Sequence, residues 1–437
     1  MKWKVGDRVE TRDAYGDALV DLGKRRPDVV VMDSDLQRSN KTYAFGQAYP
    51  HRFFDMGIAE ADMVCTAAGM AATGMTVFAT SFAMFVPGRC YDQIRLQLGY
   101  GQANVKIVGV SAGLTQGPDG ATHQALDDIA LTRQLPGLTV LSPADATEAY
   151  QAVLAAADLR GPVYLRMGRY PTRVIFGEEY RFQIGAVPVL RQGKDVALFA
   201  TGIMTAMALD TADILAGHGV EASVLNVPTI KPLNREAILA AAAGQRLAVA
   251  MEEHSIVGGL GSAIAETLAE SRGVPPLLRI GVHDCFGQSG SADELLDHYG
   301  LTPKKMAAEI LDALNVRGGE QLSVFRGLEH PGLYPYGGAA PRQIAEWYAQ
   351  MFGFEVVEGP TGFFLSGSGP GRIEVMKQGD TNRCHLAIEV SDFEAAVAAL
   401  QAKGIELEPP RIFPDLKAIW LKQSDPAGNQ VHLIWRK

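Results

Sequence analysis

From residue 1 to about 180 the chain alternates short continuous apolar runs with stretches whose apolar residues recur at helical spacing. A helix is predicted from Arg12 to Lys24, followed by the β-branched run DVVVMDSD (Asp28 to Asp35), which ends in acids. Next come a strand end at Phe53 and Phe54, a tight turn at Gly57 and a long Ala/Gly/Met helix. The strand TVFAT (Thr76 to Thr80), a helix from Ser81 to about Leu98, and the strands NVKIVGV, LTVLSP and PVYLRM complete this part. Continuous apolar strands separated by helices indicate a parallel sheet covered on both faces. A second unit repeats the pattern with VALFAT, EASVLNV, RLAVAME and LLRIGV. In such sheets ligands are expected at loops beyond the carboxyl ends of the strands.

The pattern changes after Asn315, where VRGGEQ reads as a short polar linker. The remainder shows an internal repeat. GLEHPGLYP, a helix from Pro341 to Phe352, GFEVVEG and RIEVMKQ form one copy; CHLAIEV, a helix from Ser391 to Lys403, GIELEPP and QVHLIW form the other. Each reads as βαβββ, and paired modules of that size close one sheet around a cleft. The predicted fold class is therefore α/β: two α/β domains with mostly parallel sheets, residues 1–180 and 186–314, followed by an α+β domain of paired βαβββ modules, residues 322–437.

Composition adds exclusions. The 437 residues carry a formal net charge of −9 and no basic runs, which argues against nucleic acid as a partner. The N-terminal MKWKVGDRVETRD lacks an apolar core and does not read as a signal peptide. The longest apolar run, near Met75 to Pro87, is too short to span a bilayer. Cys65, Cys90, Cys285 and Cys384 are scattered without a CxxC, so neither a disulfide framework nor a zinc site is suggested, and a cytoplasmic location fits.

The stretch with the most chemistry is FFDMGIAEADMVCTAAGMAATG, Phe53 to Gly74, in which Glu60 and Asp62 open a helix with almost no charge beyond them. Such acids complement the positive end of a helix dipole, and most do nothing more. A second reading puts Glu60 against an apolar pocket, where desolvation raises its pKa and lets it hold or share a proton. FDMGIAEADMVCTAAGMA closely resembles the pyrimidine-binding segment of the transketolase family, F(D/N)xGIAEQxMVxxAAGLA. The resemblance implies that Glu60 hydrogen-bonds the pyrimidine ring of thiamine diphosphate, favouring the tautomer whose exocyclic amine acts as a base.

Other words extend the resemblance to about residue 314: NVPTIKPLN, EEHSIVGGLGSAIAE, FGQSG and LLDHYGL resemble the transketolase C-terminal domain. On its own, the GGLG turn before a helix signals either phosphate binding or close helix–sheet packing. Phe82 and Phe85 in SFAMF are spaced one helical turn apart, and the resemblance makes them the aromatic wall of the pyrimidine. DGATHQ matches DGPTHQ, with Ala121 in place of proline, and implies that Asp119 and His123 contact substrate hydroxyls. Arg12 in VETRDAYGDAL, Ser39 in DSDLQRSNKT and Arg169 in LRMGRYP match a sugar-phosphate clamp, for which planar guanidinium donors suit a dianion. Ser111 departs from the pattern, standing where many transketolases carry a phosphate-contacting histidine; the substrate's terminal group is thus a phosphate held less tightly or another anion such as a sulfonate.

No GDG, the motif that holds the diphosphate's Mg2+, occurs in the chain. The resemblance is therefore to the C-terminal half of a split transketolase, whose N-terminal partner subunit supplies the diphosphate and metal site in an α2β2 assembly. The tail, with DPAGNQVHL near its end, resembles the vicinal oxygen chelate (glyoxalase and bleomycin-resistance) superfamily. That resemblance implies a divalent metal on His330, Glu374, His385 and His432, an N/O set suited to first-row ions, while lone histidines in sheets are often only packed. The expected activity is transfer of a two-carbon ketol unit from a ketose phosphate or similar anionic ketose to an aldose. The rivals are a 1-deoxyxylulose-5-phosphate synthase-like enzyme, which shares the GIAEQ and DGxTH words, and a non-catalytic scaffold with a sensing tail.

Overall fold

The continuous apolar runs form the interiors of two largely parallel sheets in the computed structural model. It describes residues 2–314, 325–333, 340–352, 355–358, 362–366, 372–376, 385–390, 392–402, 404–423 and 430–436. Cys384 and the VRGGEQ linker lie outside the described residues. The chain divides into two units, Met1–Gly318 and Gly319–Lys437.

In the first unit, a seven-stranded sheet runs in the spatial order Thr229–Lys231, Thr139–Leu141, Val163–Met167, Val105–Val110, Thr76–Phe82, Val29–Asp33 and Phe53–Asp55. All its pairs are parallel except that of Thr229–Lys231 with Thr139–Leu141. The run Val29–Asp33 is buried throughout because its alternate side chains enter different cores. Val30 and Met32 join one cluster with Val77 and Ala79, whereas Val29 and Val31 join another with Phe78. The helix Thr11–Arg25 packs on the second of these through Tyr15, Ala18 and Leu19.

A five-stranded sheet follows, ordered Leu277–Val282, Leu247–Ser255, Val196–Ala200, Ala222–Asn226 and Val189–Arg191, with only the last strand antiparallel. Ala197, Phe199, Ala248 and Ala250 share one core with Val77 and Ile107 of the first sheet and with Met63 of the helix Glu60–Ala72. Thr229–Lys231, although it follows a strand of the second sheet in sequence, completes the edge of the first. This pairing ties the two α/β parts into one unit. No helix among the described residues is long and apolar enough to cross a membrane.

One predicted helix is corrected. The segment expected to be helical from Ser81 to Leu98 begins instead as strand, because Ser81 and Phe82 continue the ladder against Gly109 and Val110. Helix starts only at Val86–Arg89, with Pro87 in its first turn, where a missing N–H costs no intrahelical bond. Tyr91–Gln93 and a π-helical stretch, Ile94–Tyr100, follow. Phe82 and Phe85 are therefore not one helical turn apart but lie at a strand end and in the turn after it, where the Phe85 N–H donates to Phe82 O at 2.9 Å.

Residues 319–437 carry an eight-stranded sheet ordered Glu355–Glu358, Gly362–Ser366, Arg372–Met376, Phe325–Leu333, His385–Val390, Gln430–Arg436, Leu416–Trp420 and Arg411–Phe413. The helices Pro341–Phe352 and Phe393–Ala402 each follow one of the two central strands Phe325–Leu333 and His385–Val390. Phe393, Ala396, Ile419 and Leu433 form a local core.

Candidate active site

The loop after Val29–Asp33 is shaped by two acids, Asp33 buried and Asp55 exposed. Asp33 accepts from the Leu36 N–H (2.7 Å), Asn40 Nδ2 (3.0 Å) and Thr42 Oγ1 (2.7 Å), and burial raises its pKa. Asp55 accepts from the amides of Asp35 and Gly57 and from Gln37 Nε2; although burial opposes it, these bonds hold its carboxyl below the ordinary range. Gly57 takes φ +69°, the turn that launches the helix Glu60–Ala72.

Glu60 heads that helix and is 4 % exposed. Its surroundings differ from the wholly apolar pocket of the sequence reading. Arg89 Nη1 lies 3.2 and 3.3 Å from its two carboxylate oxygens, and Ser81 Oγ donates to Oε1 at 3.3 Å after itself accepting from Ser34 at 2.7 Å. Arg89 also lies over the Phe85 ring at 4.0 Å and is half exposed. The Phe82 and Phe85 centroids are 5.8 Å apart, and His123 stands edge-on to both, at 6.2 and 5.2 Å. The structure thus brings Glu60, Phe82, Phe85 and His123 together at the carboxyl end of the sheet. Sequence reasoning missed Arg89 and Ser81, because neither lies at a spacing that ties it to Glu60.

The anion-clamp residues also converge in part. The Arg12 backbone N–H donates to Gly168 O at 3.4 Å and its Nη1 to Ser39 O at 3.1 Å, so the neighbourhoods of Arg12, Ser39 and Arg169 adjoin. Arg12 is nearly buried and its Nε is held by Glu10 at 2.6 Å, a partner the sequence reading did not name. Arg169 Nη1 lies 3.4 Å from Asp119 Oδ2, which also accepts from Gln116 Nε2 at 2.6 Å. Ser111 is fully buried at φ +60°, a strained conformation for a non-glycine residue, and its Oγ has no hydrogen-bond partner among the described residues.

The GGLG turn is settled by its neighbours. The amides of Leu260 and Gly261 donate to the Glu252 carboxylate at 2.7 and 2.8 Å, so the chain's own acid fills the N-terminus of the helix Leu260–Ala269. The next residue, Glu253, accepts from the Thr115 N–H at 2.6 Å, and burial pushes its pKa to about 7. Beside it, Asp128 accepts from Arg166 Nε (2.8 Å) and the Tyr164 hydroxyl (2.7 Å) in full burial.

In the tail, the buried rings of His385 and His432 have centroids 5.0 Å apart, with Trp420 4.2 Å from His432. The strand position of His330 pairs with Ala387, which pairs with His432; Glu374 pairs with Gly332, which pairs with His385. The side chains of His330 and Glu374 lie outside the described residues. Among the described residues no group of three or more His, Cys, Asp or Glu is placed to hold a metal ion.

The buried carboxyl beside an aromatic wall fits the flat, nitrogen-bearing half of thiamine diphosphate. Comparison with known proteins identifies the family. The family model for the transketolase pyrimidine binding domain matches residues 7–173, and that for the transketolase C-terminal domain matches residues 185–306. A putative transketolase C-terminal section from Methanocaldococcus jannaschii is 42% identical over 305 residues, 69% of this chain and 96% of that protein. A 6-deoxy-6-sulfo-D-fructose transketolase subunit from Clostridium sp. (strain MSTE9) is 41% identical over 309 residues, 70% of this chain and 96% of the relative. Among solved structures, a split gene transketolase described as an inactive beta4 tetramer is similar with TM-score 0.66 and 44% identity, covering 70% of this chain and 99% of that one.

Proposed function

The chain belongs to the transketolase family, as a C-terminal subunit of the split type, and from that premise we propose how its residues share a ketol transfer with a partner. The reaction moves a two-carbon ketol unit from an anionic ketose to an aldose. Membership implies thiamine diphosphate, which when bound supplies the carbon centre and electron sink for breaking and making the carbon–carbon bond. The observation that carries the reading is the buried Glu60 carboxyl beside Phe82, Phe85 and His123.

Phe82 and Phe85 would hold the pyrimidine ring of the cofactor between them and the helix mouth, and Glu60 would be the carboxyl that holds or shares a proton with a ring nitrogen. Arg89, half exposed, is the partner that would have to yield one Glu60 oxygen to that nitrogen. Asp119 and His123 orient substrate hydroxyls, while Arg12, Ser39 and Arg169 hold the distal anion. Because Glu10 and Asp119 already offset part of the clamp's charge, and Ser111 stands in place of a histidine, a singly charged sulfonate fits as well as a phosphate. A relative acts on a sulfonated fructose, as its name states. An N-terminal partner subunit supplies the diphosphate and Mg2+ site in an α2β2 assembly, in a cytoplasm that keeps Cys65, Cys90 and Cys285 reduced.

The tail reads as a vicinal oxygen chelate domain, supported by two successive strand–helix–three-strand modules in one sheet. His330, Glu374, His385 and His432 are its candidate ligands for a divalent metal, on the strength of the two adjoining rows they occupy in the ladder.

Co-expression with the neighbouring reading frame, followed by ketol-transfer assays with and without thiamine diphosphate, tests the assignment. Transfer is expected only with both chains and the cofactor. Glu60→Gln should keep the assembly intact and lower kcat by about 10²–10⁴-fold, the usual contribution of a positioned proton donor or acceptor. Normal turnover in that variant removes Glu60 from its role, and decarboxylation of pyruvate by the pair would favour the 1-deoxyxylulose-5-phosphate synthase-like rival.

A further inference from the structure

The segment from Ser111 to Gln124 carries Asp119 and His123 and is irregular in conformation. It passes through positive φ at Ser111, Gly113, Gly117 and Gly120, and its 3-10 helix is broken at Gly117. Beside its own turn bonds, it is supported from the second sheet and the loop that follows it. Glu253, at 3 % exposure on the strand Leu247–Ser255, accepts the Thr115 N–H at 2.6 Å. The same carboxyl lies against Gly113, where an added Cβ would sit 2.3 Å from Glu253 Cδ. Gln124 Nε2 donates to Leu114 O and Gly117 O and also to Gln288 O at 2.9 Å, beyond the second sheet. Arg166 Nη2 bridges Glu253 O and Ala125 O, fixing the backbone on either side of the seam.

Among these contacts only the Glu253 bond sets a carboxyl, in full burial, on a backbone amide inside the loop. Low dielectric strengthens such a bond and makes it directional. No other described bond holds the Thr115 amide, and Gly113 leaves no room for the carboxyl to shift toward it. We propose that Glu253 is a positioning residue: through it the second α/β domain sets the loop that presents Asp119 and His123. The inference rests on the reading of those two residues as substrate ligands. A residue that merely stabilises the fold would lower the amount of folded protein; a positioning residue changes donor KM in the folded enzyme.

The test uses the reconstituted two-subunit enzyme and, in parallel, hydrogen exchange on the full chain. Glu253→Ala should raise donor KM about tenfold or more with a smaller change in kcat, and should speed exchange of the 113–120 amides selectively. Glu253→Gln keeps an acceptor oxygen for Thr115 and should restore KM to within about twofold. Gly113→Ala pushes the loop from the other side and should mimic Glu253→Ala; it carries the test if the latter does not fold, and a wild-type KM in it overturns the inference. Asp119→Ala is the control. A wild-type KM in Glu253→Ala together with a raised KM in Asp119→Ala overturns the inference and leaves the site reading standing. Unchanged KM in both variants removes the site reading as well.

Discussion

At the scale of single residues, the site consists of charges that already have partners. Arg12 is tied to Glu10 at 2.6 Å and Arg169 faces Asp119 at 3.4 Å, so on the proposed reading an anionic substrate would exchange one set of ion pairs for another. The half-exposed Arg169–Asp119 pair is weak, whereas Arg12 is nearly buried and its geometry is fixed. Arg12→Ala should therefore raise KM for anionic ketoses about tenfold while leaving kcat nearly unchanged, because a distal anion is held equally in ground and transition states. Steady-state kinetics of the two-subunit enzyme decide it; an equal loss in kcat would place Arg12 nearer the reacting carbons. Residue identities made the proposed clamp residues legible in the sequence, but not Glu10's hold on Arg12, since a glutamate two positions away marks nothing until a helix start brings the two together.

At the scale of elements, polar contacts inside the first unit join strands and helices that are distant in sequence. Glu148, in the helix Ala146–Asp158, accepts from the Ala144 N–H, from Asn226 Nδ2 at 2.8 and 2.9 Å, and from the Tyr180 hydroxyl, and burial pushes its pKa to about 7. The sign follows from proton linkage. Between the ordinary glutamate value and about 7 the folded chain binds a proton that the unfolded chain has released, so this contribution is full below pH 4.5 and is lost as pH rises through about 7. The shift corresponds to about 3 kcal/mol at most. Denaturation midpoints measured between pH 4.5 and 7 should fall with pH, and Glu148→Gln should flatten the slope; an unchanged slope would show that Glu148 does not titrate in this window. The same scale explains the misread segment after Thr80. Apolar content at helical spacing did not reveal that Ser81 and Phe82 had ladder partners in Gly109 and Val110.

At the scale of the whole molecule, the two α/β parts share a core and a strand, while residues 319–437 form a unit with its own sheet and core. A chain ending at Gly318 should therefore keep the fold of the first unit and, with its partner, the ketol-transfer activity. Circular dichroism and the coupled assay check this, and loss of cooperative unfolding in the shortened chain would contradict it. Metal analysis of the full and shortened chains extends the comparison: a stoichiometric divalent ion only in the full chain supports the ligand set in the tail, and equal content in both removes it.

The sequence by itself determined the class of fold and the family. Continuous β-branched runs can be buried on both faces only in a covered parallel sheet, and GIAEADM and DGATHQ place particular side chains at the ends of such strands. It also located Glu60, Phe82, Phe85 and His123, although the spacing of the two phenylalanines suggested a helix that is not there. Only the tertiary structure decided what those groups touch: Arg89 on Glu60, Glu10 on Arg12, Glu252 filling the turn that resembled a phosphate site, and Glu253 reaching the Thr115 amide from another sheet. The physical reason is that a buried charge is partnered by whatever the folded chain brings within about 3 Å, and that partner carries no periodicity or motif along the chain.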